Sequence, residues 1–413
     1  MCGSTSDIIS DLPNNVKKAI LLCLSIQDAV RTSVLSTKWR YMWANLPQLV
    51  FDDMFCRESI RKRMNKLLRA IYQVLLLHRG PIHKFTLSLS RLKGYSVIDQ
   101  LILFVSNNGI QELTLHIWKG ECYKLPSSLF SCLELKILIL SSCIFKPPPK
   151  FKGFIGLLFL EFYEVGITAD IFSSLISGCP LLEHLIILNS TYFGDLEIAA
   201  PNLIYLFCGA LFSSICFKNT LQLARVTFCL NMCANEEVFN KGKSSMVMLF
   251  DSLPVIASLQ LDYYYAKIYG YNNFAGFLSA YVARPLFDKR LNAIARGLGP
   301  ESWARPFCGP TDISTYDTVD DVIVDPVLEL LEMQDWSDVS LNQLREVEMT
   351  KLSGTRSELE FIMLLLAKSQ MLETMHIEPN SANVVDGGLM ILKEVTRFRR
   401  LSPQAEIKFK NPV

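Results

Sequence analysis

The sequence predicts an α/β fold: an array of short parallel strands with a small helical unit in front of it. Three observations lead there. One apolar pattern recurs along most of the chain at near-constant spacing. The stretch from Asp7 to Pro47 packs three helix signals and more apolar surface than so small a unit can hide. From Leu344 onward, the same strand pattern alternates with helical stripes.

The N-terminal unit comes first. Val16, Ala19, Ile20, Cys23 and Leu24 repeat at helical spacing and predict one apolar stripe behind Pro13, a residue suited to a helix start. Ser25 and Asp28 have the spacing of a capping box for a second helix, with Ala29, Val30, Ser33 and Val34 as its small-residue face. Ser36 is placed to cap a third helix carrying Trp39, Tyr41, Met42 and Trp43. Leu21, Leu22, Leu35 and Trp43 fall outside any single inward stripe. Two readings follow: a tight core with ordinary exposed apolar residues, or an apolar patch that docks another protein.

This stretch resembles an F-box in its plant form. The match is carried by Asp11-Leu12-Pro13, Ile20/Leu21/Leu24, the run from Asp28 to Ser36, and Lys38-Trp39-Arg40-Tyr41. The resemblance implies binding to a Skp-type adaptor and, through it, to a cullin-based ubiquitin ligase. It also implies adaptor contacts at Leu12, Pro13, Ile20, Leu21, Leu24, Val34 and Trp39. The segment Asn14-Asn15-Val16-Lys17-Lys18-Ala19 departs from the family, which more often has acidic and larger apolar residues there. Two lysines near the positive end of a helix are unfavourable and are expected to weaken the adaptor contact.

Ser59 to Leu77 reads as a basic amphipathic helix. Ile60, Met64, Leu67, Leu68, Ile71 and Leu75 line one face, and Arg57, Arg61, Lys62, Arg63, Lys66 and Arg69 form a solvated one. Then comes the repeat: apolar, two residues, apolar, one residue, apolar. It stands at Ile82/Phe85/Leu87, Ile110/Leu113/Leu115, Leu135/Leu138/Leu140 and Leu157/Leu160/Phe162. It continues at Leu182/Leu185/Ile187, Leu203/Leu206/Cys208, Leu223/Val226/Phe228 and Ile256/Leu259/Leu261. From Leu113 to Val226 the middle positions are spaced by 25, 22, 25, 21 and 20 residues, within the leucine-rich-repeat range. Cys143 follows one strand where an Asn or Cys is expected, and Cys179-Pro180-Leu181-Leu182 precedes another. One such unit leaves a sheet edge and an apolar face open. Stacking closes both and gives a curved solenoid whose concave face suits protein recognition.

The C-terminal end repeats the signature at Leu344/Val347/Met349 and Leu372/Met375/Ile377. Leu359, Ile362, Met363 and Leu366 form a helical stripe between them, with Thr355 and Glu358 as its capping box. A second helix is expected from Leu389 to Arg400, and a final strand alternates Ala405, Ile407 and Phe409 with charged residues. This end resembles the FBD domain of plant F-box proteins, through the run Ser353 to Leu359 and through Phe398-Arg399-Arg400 with Ala405-Glu406-Ile407. It is expected to close the solenoid. Residues 263–325, with Tyr263-Tyr264-Tyr265, Tyr269-Gly270-Tyr271 and a Gly/Pro-rich run from Gly297 to Pro310, fit neither pattern. They are read as an irregular insertion: a partner-binding loop, or, favoured over it, a poorly ordered segment or a gene-model junction.

Composition narrows the function classes. The chain has 413 residues, is 50% hydrophobic and 20% charged, with 41 Lys plus Arg against 40 Asp plus Glu. That is a globular composition with no overall pull toward nucleic acid or a membrane surface. Twelve cysteines without a CxxC pair predict reduced thiols and no zinc site. With a polar start and no apolar run long enough to span a bilayer, cytoplasm and/or nucleus is the expected location. Gly242-Lys243-Ser244 ends like a P-loop, but Glu237 stands where its first glycine is needed. Gly297-Leu298-Gly299-Pro300 is no dinucleotide fingerprint, and neither GxSxG nor HExxH occurs. His116 and His184, beside strand positions, read as surface or packed histidines.

The resulting expectation is an N-terminal three-helix F-box (7–53), a leucine-rich-repeat solenoid (54–262), the insertion (263–325) and an FBD-type closing unit (326–413). The function expected is that of a substrate-recognition subunit of a Skp–cullin–F-box ubiquitin ligase, with no active site, cofactor or metal of its own. The alternative is a repeat-based scaffold uncoupled from ubiquitin transfer. The target protein and the residues that bind it are not legible.

Overall fold

The computed structural model describes residues 9–52, 55, 64–90, 96–118, 122–188, 193–209, 212–231, 256–264, 341–380 and 388–410. In chain order the strands among them are β1 (Gln48–Phe51), β2 (Lys84–Ser90), β3 (Glu112–Trp118), β4 (Tyr123–Lys124), β5 (Ile137–Ser141), β6 (Cys143–Ile144), β7 (Phe159–Tyr163) and β8 (His184–Leu188). They continue with β9 (Phe193–Ala199), β10 (Tyr205–Gly209), β11 (Phe212–Lys218), β12 (Arg225–Asn231), β13 (Ser258–Tyr264), β14 (Glu346–Leu352), β15 (Thr374–Pro379) and β16 (Glu406–Phe409). Twelve form one sheet in the order β1-β2-β3-β5-β7-β8-β10-β12-β13-β14-β15-β16, while β4 pairs with β6 and β9 with β11. Every pairing is parallel.

Register turns the sequence repeat into a ladder. Phe85, Leu113, Leu138, Leu160, Leu185, Leu206, Val226 and Leu259 are successive partners across neighbouring strands. None is more than 1% exposed. Each such side chain contributes roughly 1.5–3 kcal/mol by leaving water. Leu67, Ile71 and Leu75 of the helix Met64–Leu77 pack into the same core. So do Ile98, Leu101 and Val105 of Ser96–Ser106, and Phe172, Leu175 and Ile176 of Ala169–Ser177. The expected apolar face of the first of these helices is therefore the inward one as far as its side chains are described. Residues 56–63, which include the start of the predicted basic helix, lie outside the described residues.

The ladder extends beyond the predicted units at both ends. Leu49 pairs in register with Phe85, and Leu46, Leu49 and Phe51 are all buried with the spacing of the repeat signature. The helical unit therefore shares a strand with the solenoid. At the other end Val347, Met375 and Ile407 continue the line from Leu259. Strand β13 reaches Tyr264, so Tyr263 and Tyr264 end a strand instead of opening the insertion. Residues 265–325 lie outside the described residues. The crossover from β13 to β14 is longer than that between any other neighbouring strands of the sheet, yet β13 and β14 pair directly.

Three local expectations need correction. Residues after Ser36 form turns, and only Met42–Asn45 is helical, as a short 3₁₀ segment. Tyr41, with φ of 61°, breaks the path in the left-handed region. In the helix Arg356–Lys368 the inward residues are Phe361, Ile362, Leu365 and Leu366, while Met363 faces solvent. The last helix is Leu389–Val395, ending short of Arg400. The predicted capping box is present: the Glu358 amide donates to Thr355 Oγ1 at 3.3 Å and the Thr355 amide to Glu358 Oε2 at 2.8 Å. The Ser353 amide also donates to that carboxylate, at 3.1 Å, so Glu358 is buried with its charge satisfied.

Cysteines serve as packing groups. Cys143, Cys179 and Cys208 are buried, and Cys23 and Cys122 are exposed. Cys179 Sγ accepts the Phe154 amide at 3.4 Å, and burial pushes its thiol up to about 11.

Candidate adaptor-docking surface

The first helix, Asn14–Leu22, settles which apolar residues are left bare. Its buried residues are Lys17 and Leu21, one turn apart. Lys17 lies over the buried Trp39 ring, its ammonium 5.9 Å from the centroid. Leu21, Ile26, Ala29, Trp39, Trp43 and Ala44 are buried and supply the N-terminal share of the core. The predicted apolar stripe, Val16, Ala19, Ile20, Cys23 and Leu24, is the outer face of the helix. Val16, Ile20 and Leu24 each keep more than a third of their surface in contact with water. The reason lies in the partners: Trp39 and Trp43 arrive from one side, and the helix turns its Lys17/Leu21 edge to them.

Around that face side-chain hydrogen bonds and ion pairs tie the chain together. Pro13 is exposed and precedes the first helical residue. Ser10 Oγ donates to Ser36 Oγ at 2.7 Å, and Lys38 pairs with Asp11 at 2.6 Å. The second helix, Ile26–Arg31, is capped by Ser25, whose Oγ accepts the Asp28 amide at 3.2 Å. The hydroxyl of Ser25 donates to the Asp28 carboxylate, and Arg31 pairs with it. Together these hold that carboxyl below the usual range, the Ser25 bond most of all. Val34 projects from the following 3₁₀ turn with 86% of its surface exposed, and Leu35 beside it is also exposed.

Of the seven residues predicted for adaptor contact, Pro13, Ile20, Leu24 and Val34 are thus exposed, and Leu12 is half-buried. Leu21 and Trp39 are each only 1% exposed and belong to the interior. Val16 and Leu35, outside that set, are exposed as well; Val16 shares the Ile20 stripe at i, i+4, and Leu35 stands outside any inward stripe.

Contacts to the solenoid seat this unit. Gln48 Nε2 donates to the Leu22 carbonyl at 3.0 Å, the Arg79 amide to Ala44 at 2.8 Å, and the His83 amide to Pro47 at 2.8 Å.

The other face of the sheet lies opposite the ladder leucines. Alternation puts Ile137, Ile139, Phe159, Tyr163, Ile186, Leu188 and Phe207 there, buried but outside the contiguous core. Toward β2 this face turns to hydroxyls, with Thr86 and Thr114. Toward β16 it becomes charged, with Glu348 and Lys410 paired at 2.7 Å. His116 sits at the hydroxyl edge, its Nδ1 2.7 Å from Ser141 Oγ, and burial pulls its pKa down to about 4.

An F-box-sized helical unit fused to a continuous leucine-rich-repeat sheet defines a recognition protein of the F-box type. Comparison with known proteins agrees. The F-box domain family matches residues 9–50, and the leucine-rich repeats of FBD-associated F-box protein At5g56370 match residues 98–256. The F-box/FBD/LRR-repeat protein At1g13570 of Arabidopsis thaliana is 37% identical over 423 aligned residues, covering 98% of this chain and 99% of that protein. F-box/LRR-repeat protein At4g14096 of the same plant is 32% identical over 193 residues, covering 44% of this chain and 40% of its own. The chain belongs to the F-box/FBD/leucine-rich-repeat proteins. Its F-box implies binding to a Skp-type adaptor, and its repeats imply protein binding.

Proposed function

We propose that this protein is the substrate-receptor subunit of a Skp–cullin–F-box ubiquitin ligase, working in the cytoplasm or nucleus. The adaptor covers the outer face of the first helix, and the repeats hold the target. The chain itself performs no chemistry. It raises the effective concentration of a target lysine near the conjugating enzyme, and the bond is made on other subunits.

One observation carries this reading: the apolar stripe of the first helix faces water while a lysine and a leucine face the core. Leaving that stripe bare gains nothing for the folded monomer, whereas a partner helix would bury it. Ile20, Leu24 and Val34 are its candidate anchors, with Pro13 and Leu12 beside them.

The test is capture of a purified Skp-type adaptor by the full chain. The shared strand β1 makes an isolated F-box fragment a poor substitute, because cutting after it opens a sheet edge. The double variant Ile20→Asp/Leu24→Asp should keep the melting temperature of the wild type and lose capture. Equal capture by both proteins would refute the assignment and leave a recognition scaffold outside ubiquitin transfer.

A further inference from the structure

Strand β16 is the last of the twelve-stranded sheet, at the opposite end from β1 and the helical unit. The Glu406 and Lys410 amides donate back to the Glu373 and Ile377 carbonyls at 2.9 and 2.8 Å. Alternation then points the backbone N–H and C=O of Ile407 and Phe409 away from β15. Nothing pairs with these groups among the described residues. The last rung is also incompletely covered. Val347 and Met375 are fully buried, whereas Ile407 and Phe409, which continue their line, are only partly so. An unpaired edge beside such a rung is what a further strand would complete.

One carbonyl shows where that strand would begin. The Arg345 carbonyl accepts the amides of Glu373 and Thr374, and the Glu373 carbonyl accepts that of Glu406, so each turn is tied to the next. At Ala405, the matching position of the last turn, the Arg400 guanidinium takes the place of the next turn's amides, with Nη1 donating at 2.8 Å. A guanidinium has five donors, so most of them stay open. The charge around this edge is mostly of one sign. Residues 388–410 hold Lys393, Arg397, Arg399, Arg400, Lys408 and Lys410 against Glu394 and Glu406. Arg397 pairs with Glu394, Lys408 with Glu406 and Lys410 with Glu348. Arg399 and Arg400 are exposed and have no acidic partner among the described residues. A second copy of this end would set the same cations against each other, whereas an acidic strand is drawn to them.

We propose that β16 takes up an extended acidic segment of another protein as a further strand of the sheet, with apolar and acidic residues alternating along it. Its backbone pairs with the outward groups of Ile407 and Phe409, and its apolar side chains cover that rung. A carboxylate meets the open donors of Arg400, with Arg399 beside it in the chain. An extended backbone matches a row of strand groups, and neither a helix nor a nucleic acid does. The site goes beyond the adaptor and target readings and needs neither.

The test measures binding of short fluorescent peptides to the full chain. One peptide alternates Val with Glu, and its control alternates Val with Lys. The Val/Glu peptide should bind about tenfold or more tightly than the control, and salt should shrink the difference. Methylating every second backbone nitrogen of that peptide should abolish binding for one alternate set and spare it for the other. Ile407→Pro removes an outward N–H, a change that edge strands tolerate. It should keep the melting temperature and adaptor capture of the wild type and lose the peptide. Arg400→Gln keeps a donor for Ala405 without the charge, and should weaken the Val/Glu peptide several-fold. Should Ile407→Pro fail to fold, the methylated peptides decide. No binding of the Val/Glu peptide, equal binding of the control, or binding that both methylated sets retain overturns the proposal. So does protection of the Ile407 and Phe409 amides from hydrogen exchange in the free chain, because the edge would then be covered already. Self-association lost in Ile407→Pro, without peptide binding, overturns it in favour of a second copy.

Discussion

The Lys17 ammonium sits 5.9 Å from the centre of the Trp39 ring, and both side chains are buried. A lysine that read as a defect at the positive end of a helix is part of the interior of the F-box. Its stem packs, and its charge rests on a π face, which offsets some of the cost of burial. Trp39 is correspondingly a folding residue, and its Nε1–H meets no acceptor among the described residues. Trp39→Ala should therefore cost about 3–5 kcal/mol of stability, and Lys17→Ala roughly 1–2 kcal/mol. Urea denaturation of the full chain measures both. Loss of adaptor capture in Trp39→Ala with unchanged stability would contradict the interior placement.

The ladder predicts a core penalty that is uniform along the array. Leu185 is fully buried between Leu160 and Leu206. Leu185→Ala should cost about 2–5 kcal/mol. Because each repeat contacts chiefly its neighbours, the loss should be concentrated there. Hydrogen exchange should rise most in β7, β8 and β10 and least in β15 and β16.

Successive turns touch through two glycines. A side chain at Gly178 would meet the Lys152 carbonyl oxygen, and one at Gly153 would meet the Gly178 carbonyl. Gly153 also holds φ of 106°, a conformation that L side chains rarely adopt. Both obstacles are backbone, which cannot rotate aside. Gly178→Ala should destabilise by more than about 2 kcal/mol although it adds a single methyl. A melting temperature equal to the wild type would show that the two turns can separate freely.

Acid should act through His116. Its pKa falls from the ordinary 6.5 to about 4 on folding, because burial disfavours the charged ring. Between those values the unfolded chain binds more protons than the folded one. Stability is therefore lost as pH falls from 6.5 toward 4, and the loss levels off below that. The loss reaches up to roughly 3 kcal/mol. Glu161 works the other way: its folded value of about 7 exceeds the ordinary 4.5, so its burial costs stability as pH rises from 4.5 to 7. His116→Gln should remove the acid-side loss, and Glu161→Gln the opposing one, in denaturation curves taken across that range. Parallel pH dependence in wild type and His116→Gln would rule out the first.

The ladder was legible in the sequence because it is written locally. A leucine at i, i+3 and i+5 fixes both a strand and the face it buries, and repetition fixes the stacking. Thr355 and Glu358 were legible for the same reason, since a cap involves residues three apart. The rung at Leu46, Leu49 and Phe51 carried the same spacing but was hidden inside the F-box match. The third helix failed because Tyr41 breaks the path, and no residue before it announces a left-handed turn.

The sequence by itself determined that short parallel strands would stack, that a helical unit would precede them, and that apolar surface would remain near the amino end. Only the tertiary structure decided which surface that was. The first helix has apolar residues on both sides, and spacing cannot rank them. Trp39 and Trp43, distant along the helix path, claim the edge bearing Lys17 and Leu21, and that choice leaves Val16, Ile20 and Leu24 to water. The setting of Glu161 was decided in part the same way: Phe159 and Tyr163 flank it on its own strand, but Ile139 and Ile186 come from neighbouring strands that only register brings beside it.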